Sequence, residues 1–64
     1  MDIKRLINLK VQEFDYLFEQ VKRFKSHLIK SVDFPEFGRC TNVVQMNRLL
    51  KIRKNEIDSL MYQV

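Results

Sequence analysis

One cysteine and one histidine are the first residues of this 64-residue chain to weigh for nucleophilic or metal chemistry. Cys40 stands beside Arg39, a cation of the kind that activates thiols, but as a lone thiol in a short connector it reads first as a small, partly buried packing residue. His27 falls on the polar side of a helical segment among lysines, a setting for a solvated residue rather than a general base. A single Cys closes no internal disulfide, and one Cys with one His does not make up a zinc site. The carboxylates are no more specific. Glu13, Asp15 and Glu19 share part of one helix and Asn55, Glu56 and Asp58 part of another, and such clusters read as solvated faces. Catalysis needs groups held within hydrogen-bond reach in a concave site. The expectation is therefore a protein that is not an enzyme and carries neither cofactor nor metal.

The basic residues say more. The formal net charge is +4, and it is unevenly spread. From Gln20 to Lys54, nine Lys and Arg residues face only Asp33 and Glu36, a local charge of +7, whereas the two flanking segments are net acidic. Clustered cations neutralise phosphates and release counterions, which makes nucleic acid one partner class, with Lys22, Arg23, Arg48, Lys51 and Lys54 as candidate contacts. No helix-turn-helix spacing, zinc finger or ribonucleoprotein aromatic motif accompanies them. Protein assembly is the other class, the basic end of one molecule meeting an acidic surface of another. A solvated face with a sign bias is the plain alternative to both.

Two helices must position these residues. From about residue 3 to 30 the chain has no Gly or Pro, and Ile7, Val11, Phe14, Phe18, Val21, Lys25 and Leu28 alternate in steps of four and three, a helical seam with Ile3, Leu17 and Phe24 beside it. Asp2 is placed to cap its start. Residues 31 to about 40 hold the only Pro and the only Gly and read as a connector, with a single helical turn allowed at Pro35 to Phe37 and with Phe34 and Phe37 folding back over the end. After Thr41 or Asn42 as N-cap, a second helix is expected over about 42–63, carrying Val43, Met46, Leu50, Ile57, Leu60 and Val64 on its seam. Val44, Leu49, Ile52 and Met61 lie off that seam. Arg53 is the one charged residue on it and needs a partner or a path to water.

This pattern predicts one all-α domain over residues 1–64, an antiparallel two-helix hairpin. A chain of this length buries only about 60% of its unfolded surface, and neither disulfide nor metal compensates. Completion as a four-helix bundle, coiled-coil fashion, by dimerisation or by docking on a partner is the expected remedy. Phe14, Phe18, Val21, Leu50, Ile57 and Leu60 are the expected packing residues of that interface and core. The N-terminal segment lacks the apolar stretch of a signal peptide, no apolar run is long enough to span a membrane, and a lone thiol suits a reducing compartment. The sequence thus predicts a cytoplasmic interaction protein such as a regulator, co-chaperone or assembly subunit, a homo-oligomer (a dimer first) or the partner of a protein client, with nucleic acid as the alternative ligand and no membrane. No motif assigns it to a family.

Overall fold

The computed structural model describes residues 2–63. Helix α1 runs Ile3–Lys25, strand β1 Val32–Phe34, strand β2 Gly38–Cys40 and helix α2 Val43–Met61. Lys10 pairs with Glu56 and Glu13 with Arg53, so the first half of α1 lies beside the second half of α2 and the helices are antiparallel.

Each terminus has a local cause. The Asp2 side chain accepts the amide of Lys4, and the Asn42 side chain accepts those of Val44 at 2.8 Å and Gln45 at 3.3 Å. Both satisfy first-turn donors that have no partner inside the helix. At its other end α1 stops five residues short of the expected residue 30. His27 adopts the left-handed conformation (φ 64°), its amide bonds to the Phe24 carbonyl at 3.0 Å, and the Leu28 amide reaches the Arg23 carbonyl at 2.9 Å. This is the Schellman pattern, formed on a histidine where glycine is usual.

The connector is where the all-α expectation fails. Residues 32–40 form a two-stranded antiparallel hairpin, Val32 opposite Cys40, Asp33 opposite Arg39 and Phe34 opposite Gly38. Pro35 presets the first turn position, the Phe37 amide closes on the Phe34 carbonyl at 3.0 Å, and Gly38 takes φ 98°. A proline-led turn over Phe34–Phe37, followed by a left-handed glycine at the first position of β2, reverses the chain, and it replaces the helical turn allowed at Pro35–Phe37. Alternation along the strands sends Val32, Phe34 and Cys40 inward and leaves Asp33 and Arg39 outside.

These inward residues complete the core. Leu17, Val21, Met46, Leu49 and Leu50 from the helices cluster with Val32, Phe34 and Cys40, and Phe14, Phe24 and Ile29 pack against them. Phe34 folds back as expected and is 1% exposed, whereas Phe37 stays at the surface. Part of the cover that the sequence assigned to a four-helix bundle comes from within the chain, over Leu17, Val21, Met46, Leu49 and Leu50. Leu49, off the expected seam, is buried in this cluster, so neither the pure helical hairpin nor the coiled-coil description fits the fold.

Candidate interaction surface

The hairpin sits on one side of the helix pair. Arg53 of α2 reaches both Glu13 of α1 and Glu36 at the hairpin turn, which places the hairpin tip over the flank of α1 that carries Glu13. At roughly 100° per residue, Val11 and Phe18 fall on the opposite flank of α1, beside Phe14. That flank is bare. Phe18 is 48% exposed, Val11 and Phe14 are half-buried, and the Phe14 and Phe18 rings stack with centroids 6.0 Å apart.

The six packing residues named from sequence separate accordingly. Val21, Leu50 and Ile57 are buried within the chain, Phe14 and Leu60 are half-buried, and Phe18 lies open. Leu17, its neighbour, takes the core position at 2% exposure. Val64 lies outside the described residues.

The cations divide in a similar way. Arg53 is largely buried and structural, and its Nε has no hydrogen-bond partner among the described residues. Its two carboxylates hold the hairpin tip against both helices. Arg39 faces Asp33 across the strands. Lys22, Arg23, Arg48, Lys51 and Lys54 are all exposed, and among the described residues only Lys22 meets an acid, Glu19 at 3.9 Å. Arg48, Lys51 and Lys54 recur every third position and share the outer surface of α2. Lys25 and Lys30 are likewise exposed and form no ion pair among the described residues.

Two surface depressions accompany these features. One, of about 550 Å³, opens at the closed end of the molecule and is lined by Phe24, Lys25, His27, Ile29, Lys30 and Val43. The other, of about 430 Å³, lies at the open end between Lys4, Ile7, Asn8 and Met61. Lys25, Ile29, Lys30 and Val43 were not among the sequence candidates, because only the path of the loop after Lys25 brings them together. The remaining chemistry-bearing residues have structural surroundings. Cys40 is a buried free thiol donating to the Asn42 carbonyl at 3.5 Å, and His27 occupies the capping turn. Among the described residues no group of His, Cys, Asp and Glu could hold a metal ion, and no helix is long and apolar enough to cross a membrane.

No family model, curated protein or solved structure matches the chain.

Proposed function

We propose that the chain is a small, non-enzymatic interaction protein of the cytoplasm that works by burying open apolar helix surface against a protein, either a second copy of itself or a client. The observation that supports this is Phe18, 48% exposed and stacked on the half-buried Phe14 along the flank of α1 away from the β-hairpin. A phenylalanine has a large apolar surface, and the fold spends its covering element on the other side. A free, buried thiol suits a reducing compartment.

Light scattering across the micromolar range tests the self-association arm. A mass at or above the dimer that falls on Phe18→Ser supports it, whereas a monomer at every concentration leaves only the client. A second reading, nucleic-acid binding, is favoured by the Arg48, Lys51 and Lys54 row, with Lys22 and Arg23 at the same end of the molecule. Titration with duplex DNA at low salt decides between the classes. Tight binding whose logarithm falls with log salt by a little under one unit per phosphate contact, with no mass change on Phe18→Ser, would overturn the protein reading.

A further inference from the structure

We infer that the depression at the closed end is a docking pocket for an acidic segment of a partner protein, one that presents a single apolar side chain between carboxylates. The inference rests on the protein-contact reading and names the partner's chemistry. The pocket exists because of how the chain leaves α1. The Schellman turn at His27 ends the helix abruptly, and the chain then takes residues 28–31 to reach β1, so the corner between the last turn of α1 and the first turn of α2 is left unfilled.

The floor of that corner is apolar: Phe24, Ile29 and Val43 are each half-buried, and Phe24 and Ile29 pack directly on the core. Its rim is formed by Lys25, His27 and Lys30, all exposed, and no acidic residue lines it. At about 550 Å³ it falls within the size range of sites that bind small ligands, and it has their usual arrangement of apolar lining with a few polar groups at fixed points. The walls are held on both sides, by the two capping hydrogen bonds after Phe24 and by the Asn42 cap just before Val43. A partner pays little ordering entropy to meet a preformed site.

Charge selects the occupant. Lys25 and Lys30 have no ion-pair partner among the described residues, and the surrounding segment is strongly basic, so a cationic segment is repelled and an acidic one steered in. The apolar floor then separates an acidic peptide from a phosphate backbone. A phosphodiester gains nothing from Phe24, Ile29 and Val43, whereas a leucine or phenylalanine side chain flanked by aspartates satisfies floor and rim together.

The test is fluorescence anisotropy of the full chain with a fluorescein-labelled peptide carrying one central leucine between aspartates. The expected result is saturable binding that weakens on the order of 10- to 100-fold when the peptide leucine becomes serine, the loss that follows from forfeiting a buried leucine. Val43→Glu should weaken binding comparably, and a glutamate at the first helical position suits the helix dipole, so α2 is retained. Lys25→Gln with Lys30→Gln should cost roughly 2- to 30-fold, as two exposed ion pairs imply. Arg48→Gln with Lys54→Gln removes the same charge elsewhere and should cost less. Equal losses from the two double variants would mean diffuse attraction and overturn the pocket. Loss on Phe18→Ser but not on Val43→Glu would move the site to the bare flank, sinking the pocket and keeping the protein reading. Binding of duplex DNA with indifference to the peptide leucine would overturn both. Absence of peptide binding up to millimolar concentration would overturn the inference alone.

Discussion

If the β-hairpin replaces an external partner as the cover for the helix pair, two phenylalanines of equal size should differ sharply in what they contribute. Phe34 is 1% exposed at the centre of the core cluster, while Phe18 is 48% exposed on the bare flank. Truncating a fully buried phenylalanine costs about 3–5 kcal/mol, the lost transfer energy plus the cavity left behind. A half-exposed ring leaves no closed cavity, and half of the usual burial energy is about 1 kcal/mol. A chain of this size has roughly 3–10 kcal/mol of total stability, so Phe34→Ala should remove most of it and Phe18→Ala little. Urea denaturation followed by far-UV circular dichroism reads both, and Phe34→Leu provides a folded intermediate case should the alanine variant unfold outright. Repeating the melts over a range of protein concentration separates any part of the Phe18 effect that arises from association. A Phe18→Ala loss equal to or larger than that of Phe34→Ala would refute the placement of the core under the hairpin.

Three further substitutions test the local devices. His27→Gly should stabilise the chain by up to about 1 kcal/mol in thermal melts, since the left-handed strain of about 1–2 kcal/mol on a non-glycine residue exceeds the entropy glycine adds to the unfolded state; a loss of stability would mean that His27 makes contacts that matter more than its backbone. Asn42→Ala should cost about 1 kcal/mol by removing the acceptor for the Val44 and Gln45 amides, while Asn42→Ser should cost far less. Arg53→Ala should destabilise more than Glu36→Gln, because a mostly buried side chain that packs between both helices and the hairpin tip is removed, whereas each carboxylate is about half exposed and regains water. A double-mutant cycle on Arg53 and Glu36 that returned no coupling would remove the ion pair from the account of how the tip is held.

Much of this architecture is written locally. Asp2 and Asn42 carry the capping chemistry that starts each helix, and Pro35 with Gly38 supplies the punctuation of a tight reversal. Arg53, a charge on an otherwise apolar seam, announced that it needed partners, and Glu13 and Glu36 supply them. The strands were hidden because each is three residues long, too short for a period of two to stand out against the helical spacing on either side. The end of α1 was hidden because a histidine, not a glycine, makes the left-handed turn. The choice between Leu17 and Phe18 could not be made from spacing either. Both continue a helical seam from Phe14, and only the side on which the hairpin packs decides which of them faces inward. The closed-end depression depends on that same tertiary path, since Phe24 and Val43 lie far apart in sequence and meet only after the chain has turned twice.

The hairpin also narrows where function can reside. Wide apolar faces on both helices argued for an external partner along the whole length of the seam. With Val32, Phe34 and Cys40 laid across one side, that demand is met internally for Leu17, Met46 and Leu49, while Phe18, Val44 and Ile52 are among the apolar helix residues left exposed, and a basic-rimmed apolar corner stays open at one end. The ion pairs sort in the same direction. Glu13, Glu36 and Glu56 hold helices and hairpin together through Arg53 and Lys10, while Lys25, Lys30, Arg48, Lys51 and Lys54 face solvent. The stretch from Gln20 to Lys54, at +7 against +4 for the whole chain, thus presents most of its cations to solvent. Exposed side chains that folding does not use can change without loss of the core, which is why Lys25→Gln and Lys30→Gln should alter partner binding while leaving the thermal midpoint close to that of the parent chain.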